Sequence, residues 1–581
     1  MNNSSATSSE NHPSDYKPLR IWIPLIFLPL FFIARKIPDF VEDGPSGIWM
    51  VSAFGPALIS LVLIGWWVLL SRAHYKERIL GTLGIIALLI AEQIFCDHSM
   101  RGPLLIVLTL PLTVFGFTVG TILFNKLLSQ SRTVCALGLA LLAILFSLAV
   151  KTEGVRGDFS FSILPRWKVD VEQSLAAKPM EPSQVVPASA FENAAWPKFR
   201  GMAQDGIQVG QAFDDEWSTN APKELWRIDI GAGWSSFVVA GDYLFTQEQR
   251  GNNDCVICYQ ASTGKKFWQY SLESRFFEAL GGLGPRATPT LSGTELYAQG
   301  AEGWLSKLDA TTGKLIWKQD LRVVTDKALP PMWGFSSSPL IHDGKVIVHV
   351  GGKNANGIVA LKTEDGSLAW KSPCGEHSYG SPQLIKMLDT DLISILSNEG
   401  AHFYLPDTGE QKFFYDWSHN GYRALQPQVI DGDKLIVPTG MGTGSRLIQL
   451  SKEDPGQWSA SELWTSGDFK PDFNDFVVYQ GHIYGFDNRI FACIDLATGK
   501  KKWKGGRYEK GQCLLLADSG LILVVSESGE LALLKATPDS HQELAKIQAL
   551  NDKTWNHPVV VGDKLYLRNA KEAVCYQLPT K

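Results

Sequence analysis

Five near-continuous apolar runs fill the first quarter of the chain, at about 20–34, 48–70, 79–95, 103–125 and 133–150. From about residue 196 the pattern changes to short alternating strings broken by Gly, Asp-Gly and Thr-Gly pairs. The first pattern predicts helices apolar on every face, and the second predicts short strands joined by tight turns. Runs 48–70 and 103–125 are long enough to cross a hydrocarbon core of about 30 Å. The run at 20–34 is shorter and contains Pro24 and Pro29, so a cleaved signal segment competes with a membrane helix there. A polar tail of about 19 residues before it, and Arg35–Lys36 in place of a small-residue cleavage site after it, favour an uncleaved helix. The expected layout is a cytoplasmic tail over 1–19, about five transmembrane helices over 20–150, and a linker over 151–195, where charge, Pro and Ala mix without periodicity.

Basic residues orient the spans. With the N-terminus inside, Lys17, Arg20, Arg72, Lys76, Arg78, Lys126 and Arg132 fall on the inner side, and Arg35, Lys36 and Arg101 on the outer. Seven against three favours that arrangement, and an odd number of spans places the rest of the chain outside. In a bacterium this means an inner-membrane protein with a periplasmic domain. Glu92 lies at the outer end of the third run, beside Gln93, Asp97 and His98, and is expected to reach the interface. The spans carry no array of paired charges and read as an anchor.

Internal repetition decides the architecture of the remainder. One recurring ending is a turn followed by a strand that closes on an aromatic residue: ASTGKKFW (261–268), DATTGKLIW (309–317), KTEDGSLAW (362–370) and DLATGKKKW (495–503), with weaker copies at 405–414 and 459–464. Eight beginnings, each a small or polar pair followed by a β run and a Gly/Asp turn, start at 235, 287, 337, 380, 425, 474, 512 and 556. Each copy holds about four short strands, too little to bury a core alone, so copies pack face to face around an axis. The closing Trp suits the seam between neighbours. The last copy lacks its closing strand, and ELWRIDI (224–230) can supply it by pairing within 556–578. The expected fold is an all-β eight-bladed propeller over 196–581, preceded by the helical membrane domain.

Charge and cysteines narrow the function. Residues 1–150 carry 10 basic and 8 acidic side chains, +2, so the other 431 carry −7 of the net −5. No basic stripe appears, which argues against a nucleic-acid partner. Eight cysteines in 581 residues make no disulfide framework. Cys255 and Cys258 form a C-x-x-C followed by Tyr259, which excludes covalent haem attachment, and on a strand they point to opposite faces.

The beginnings ATPT, SSPL and GSPQ, with the D-A-x-T-G-K-x-x-W endings, resemble the pyrroloquinoline-quinone-type propeller repeat. That repeat is shared by quinoprotein dehydrogenases and by the propeller lipoprotein of the bacterial outer-membrane β-barrel assembly machinery. The opening WPKFRGMAQDG (196–206), with GGLGPRATPT (281–290) and WGFSSSPL (333–340), resembles a bacterial subgroup of quinone-like propellers. Five membrane helices before such a propeller are also similar to the membrane-bound quinoprotein glucose dehydrogenase. This chain departs from the dehydrogenases in its shorter propeller, about 390 residues, and in lacking adjacent cysteines.

In a propeller, residues just before each innermost strand ring the channel mouth. Here they are Trp234, Arg286, Trp333, His377 with Tyr379, Arg423, Asp475, and Asn556 with His557. Two Arg able to pair with carboxylates, and Trp able to stack on a ring, make a candidate cradle for a planar polyanion. The resemblance implies that this ligand would be pyrroloquinoline quinone with calcium, for which Asp475, Asn474 and Asn556 are the oxygen donors at hand. Asp475 or a His would then be the base. The competing expectation is a binding or assembly scaffold with a protein partner at the propeller face.

Overall fold

The structure is a computed structural model. It describes all residues except 1–17, 41–47, 158–159, 180–182, 327–330, 352–356, 377 and 454–455. Two compact units divide the chain: one runs through Glu153 and adds Phe161–Lys168, and the other holds Gly154–Ser160 and Val169–Lys581.

The first unit contains helices α1 (Trp22–Phe40), α2 (Ile48–Gly65), α3 (Tyr75–Phe95), α4 (Leu110–Leu123) and α5 (Ser129–Ala149). A π-helical turn, Trp66–Leu70, extends α2, and another, Leu105–Thr109, precedes α4. Four segments are long and apolar enough to cross a membrane: Met50–Leu70, Tyr75–Phe95, Leu105–Leu123 and Gln130–Ala149. About five spans were expected; α1, which carries Arg35, Lys36 and Asp39 in its last turns, is not among the four. Small residues bring α4 and α5 together. A Cβ at Gly120 would lie 2.5 Å from Ala136 Cα, and one at Gly116 would lie 2.8 Å from Leu139 O, a close approach that only glycine permits. A buried ion pair, Arg132 Nη2 to Glu77 Oε2 at 2.5 Å, joins α5 to α3. Glu92 corrects the expectation that it reaches the interface. It is fully buried in the bundle and accepts from Thr109 Oγ1 (3.1 Å), Ser147 Oγ (3.2 Å) and Gln93 Nε2 (2.7 Å). The π-turn that ends at Thr109 presents one of those hydroxyls.

The segment expected as a linker holds strands Val150–Val155 and Phe161–Pro165 and a short helix, Val171–Ala176. Beyond it stand eight sheets of four antiparallel strands each, one of which gains a fifth, parallel strand, Ile207–Gln208, on its inner edge. Blade 1 runs from Val238 to Glu273, blade 2 from Thr290 to Asp320, blade 3 from Leu340 to Ser372 and blade 4 from Gln383 to Asp416. Blade 5 runs from Gln428 to Ser466, blade 6 from Val477 to Arg507 and blade 7 from Gln512 to Gln548. Blade 8 takes three strands from Val559–Gln577, and its fourth is Lys223–Asp229, paired Glu572 with Asp229 through Gln577 with Lys223. The fold is therefore an eight-bladed propeller preceded by helices.

The seams explain the T-G-K-x-x-W motif. Each clear closing Trp donates its indole N–H to a carbonyl in the turn of the next blade: Trp226 to Ala261 (2.8 Å), Trp268 to Ala310 (3.0 Å), Trp317 to Thr363 (2.9 Å), Trp370 to Pro406 (3.0 Å) and Trp503 to Thr537 (2.8 Å). The turn glycine lies flat on that same ring. Gly313 has φ +70°, and a Cβ there would sit 2.5 Å from Trp268 Cε3. Gly313→Ala is thus expected to cost about 3 kcal/mol, since strained backbone and a steric clash add. Gly562→Ala, at φ +55° with open space around it, is expected to cost about 1 kcal/mol. Denaturant melts of the two variants side by side check this, and equal costs would refute the packing role.

Candidate functional site

The polar pair that opens each repeat ties one blade to the next. Ser236 N–H donates to Thr288 Oγ1 (2.9 Å), Thr288 N–H to Ser338 Oγ (3.0 Å), and Ser338 N–H to Ser381 Oγ (2.9 Å). Gln426 Nε2 donates to Ser381 O (3.4 Å), Cys513 Sγ to Asp475 O (3.2 Å), and Ser236 Oγ to His557 O (2.6 Å). Side chains at one repeat position thus supply bonds between neighbouring blades. Candidate residues in this ring therefore have structural duties first.

The two arginines are committed to main-chain oxygens. Arg286 donates to Trp333 O (3.2 Å), Gly282 O (2.8 Å) and Gly284 O, reaches Glu278 Oε1 at 3.5 Å, and stacks on Phe276. Arg423 donates to Thr439 Oγ1 (2.9 Å), Trp417 O (2.6 Å) and Ser397 O. Burial pushes each guanidinium down to about 10. His377 lies outside the described residues.

Asn556 donates to Gly233 O (3.2 Å) and Ser235 O (2.7 Å), and Asn474 to Gly511 O (2.8 Å), so both amides stitch blades. Asp475 and His557 come together, Oδ2 to Nε2 at 3.8 Å, and both are buried. Burial, then the neighbouring Arg200, pushes His557 down to about 3; burial pushes Asp475 up, against the pull of Arg200. Among the described residues, no group of three or more His, Cys, Asp or Glu side chains has a metal-holding arrangement. Cys255 and Cys258 pack into separate cores on the two faces of their strand, and burial raises both thiols.

Sequence reasoning missed Arg200, although it lies within the quoted WPKFRGMAQDG opening. Its side chain is fully buried, 3.3 Å from Asp475 Oδ1, and donates to Phe476 O (2.7 Å) and Asp205 O (2.9 Å). The segment around it runs along the inner strands: Trp196 bridges Val239, Pro197 O accepts from Leu291, and Ile207–Gln208 pairs with Leu515–Leu516. These contacts, with Phe199 edge-on to His557 (5.8 Å), reach the inner strands of blades 1, 2, 6 and 7 and the start of blade 8, so the opening motif plugs the ring from within. A charged residue inside a segment with no counterpart in the other repeats was the available signal.

Aromatic side chains gather at the ends where the inner strands begin, the end that Asp475 and His557 also occupy. Trp234 stacks on Trp555 (4.8 Å), which also meets Phe473 (5.0 Å), and Lys553 lies over both indoles. Across the ring, Trp333 packs on Tyr379 (5.0 Å) and Tyr422 (4.4 Å). On the Trp555 side the chain's own Gly154–Gly157 lies across the mouth. Val155 N–H donates to Leu280 O (3.0 Å), Gly157 N–H to Glu527 Oε1 (2.7 Å), and Lys553 Nζ to Val155 O (3.0 Å).

Comparison with known proteins agrees with this repeat architecture. The chain matches the sequence model of the family described as outer membrane protein assembly factor BamB over residues 217–454 and 301–540, together more than half its length. It is 26% identical over 360 residues to the BamB of Yersinia pestis, covering 59% of this chain and 76% of that protein. It is 34% identical over 121 residues to quinohemoprotein alcohol dehydrogenase ADH IIB of Pseudomonas putida, covering 20% of this chain and 17% of that enzyme. A solved europium-containing methanol dehydrogenase aligns with a TM-score of 0.51 at 13% identity, over 67% of this chain and 99% of that one, which is a likeness of fold alone. The chain belongs to the family of outer membrane protein assembly factor BamB.

Proposed function

We propose that this chain is a propeller anchored in the bacterial inner membrane and displayed in the periplasm, where it acts as a binding or assembly scaffold for a protein partner. The observation that carries this reading is that the chain fills its own channel. Arg200 and its segment lie along the inner strands, and Gly154–Gly157 lies at the mouth where those strands begin. A quinone with calcium does not fit the described candidate residues. Arg286 and Arg423 are spent on main-chain oxygens, and Asp475 faces Arg200. Four long apolar helices support the anchor, and the family supports the periplasmic setting.

The second reading is a membrane-bound quinone-cofactor dehydrogenase that oxidises a sugar or alcohol and passes electrons to a membrane quinone. Its support is the 121-residue similarity to ADH IIB. Calorimetric titration of the detergent-solubilised full chain with pyrroloquinoline quinone and calcium separates the two. The scaffold reading expects no saturable heat up to ~1 mM cofactor. Binding tighter than ~10 μM, about −7 kcal/mol, would replace it with the enzyme reading.

A further inference from the structure

The Gly154–Gly157 strap is held as a ligand is held. Each described contact matches one group of the strap to one group of the propeller. The Val155 N–H is met by the Leu280 carbonyl, the Val155 carbonyl by the Lys553 ammonium, and the Gly157 N–H by the Glu527 carboxylate. Arg156 Nη2 reaches Asp552 Oδ1 at 3.0 Å. The receiving groups are themselves fixed: Trp555 Nε1 donates to the same Glu527 oxygen (2.9 Å), Lys571 pairs with Asp552 (2.5 Å), and Lys553 lies over Trp234 and Trp555.

The two glycines are demanded by close approach. Gly154 has φ +100°, and a Cβ there would stand 2.8 Å from Leu280 O; a Cβ at Gly157 would collide with Lys510 Cγ. Main-chain donors and acceptors, a carboxylate for a cation, and clearance only for glycine define a peptide site. The Arg156–Asp552 pair is about one-quarter to one-third exposed, so it adds little and is easily exchanged for water or another cation. The Val155–Lys553 bond is buried, whereas the Gly157–Glu527 and Arg156–Asp552 contacts are only partly buried, so the strap is open to local release from its Arg156–Gly157 end.

We propose that this face, formed by Leu280, Glu527, Asp552 and Lys553 with the Trp234–Trp555 pair beneath, is a peptide-binding site filled in cis by Gly154–Gly157. Its partner is a protein that offers a short segment with an Arg or Lys beside glycine and displaces the strap. The inference rests on the scaffold reading and names the class of partner segment that one face recognises.

The test uses the full chain in detergent and a labelled peptide of residues 150–160. Gly157→Val drives the strap off Lys510. Trypsin is then expected to cut after Arg156 at least ~10-fold faster, and the labelled peptide to bind at least ~10-fold more tightly than to the parent, because the tethered competitor is gone. Adding Asp552→Asn or Glu527→Gln to Gly157→Val should reverse the gain in peptide binding. Faster cleavage with no gain in peptide binding would overturn the proposal, and so would unchanged cleavage. Should Gly157→Val not fold, the parent titrated with millimolar peptide decides: accelerated cleavage after Arg156 supports the site, and an unchanged rate overturns it. A negative result with a partner still cross-linked through another face would remove this inference and leave the scaffold reading intact.

Discussion

Asp475→Ala is expected to lower the stability of the propeller by about 3–5 kcal/mol, because it strands the Arg200 guanidinium without a counter-charge inside the ring. Both side chains are almost wholly excluded from solvent, 0% and 3% exposed, so water cannot stand in for the lost carboxylate. Denaturant unfolding followed by tryptophan fluorescence reads the loss directly, since Trp196 lies on the same plug. The double variant Arg200→Met, Asp475→Leu should recover part of the stability, because removing a buried pair together costs less than removing one member. If Asp475→Ala alone were neutral, the plug would have to be held by its strand pairing, and the buried ion pair would be incidental.

Acid should weaken the same region. Burial holds His557 and His402 neutral, each down to about 3, against an ordinary value of about 6.5 in an unfolded chain. His557 faces Asp475, Arg200 and the Pro558 carbonyl, and His402 faces Ser397 Oγ (2.8 Å) and the Gln411 amide, with Arg423 nearby. The folded state binds protons less readily than the unfolded state, so stability is complete above about pH 6.5 and declines as pH falls towards about 3. At pH 5 the loss is about 2 kcal/mol per histidine, or about 4 kcal/mol for the pair. Denaturant midpoints at pH 7.5, 6 and 5 measure it, and the His402→Gln, His557→Gln double variant should show a flatter profile. A parent whose midpoint held steady from pH 7.5 to 5 would show that both imidazoles take up protons as readily in the folded protein as in the unfolded chain.

The propeller was legible because its cause is local and repeated. A tight turn, a glycine and a tryptophan recur at a spacing that only stacked four-stranded units satisfy. The same regularity located the inner-strand starts, and every described candidate falls there. What those side chains do was less legible, because their partners are distant main-chain oxygens. Nothing near Arg423 in sequence announces that the Ser397 carbonyl and the Thr439 hydroxyl will accept its hydrogen bonds. Glu92 was misread for a related reason: its place near the end of an apolar run suggested an interface, whereas Thr109 and Ser147 arrive from other helices. Arg200 was illegible because its partners, Asp475 and the Phe476 carbonyl, lie some 275 residues further along the chain.

Blade 8 has a consequence for the order of assembly. Its outer strand, Lys223–Asp229, is synthesised before any of the blades, while the strand it pairs with, Glu572–Gln577, comes almost at the end. Seven blades can stack as they emerge, but the eighth must wait for a contact some 350 residues long in sequence, and such closures are slow. During that interval Lys223–Asp229 is an unpaired edge, open to strands of other chains. Its charged residues (Lys223, Glu224, Arg227, Asp229) are what such a waiting strand needs to stay out of aggregates. Ring closure is thus the step at which export, crowding or a chaperone would most affect the yield of folded protein.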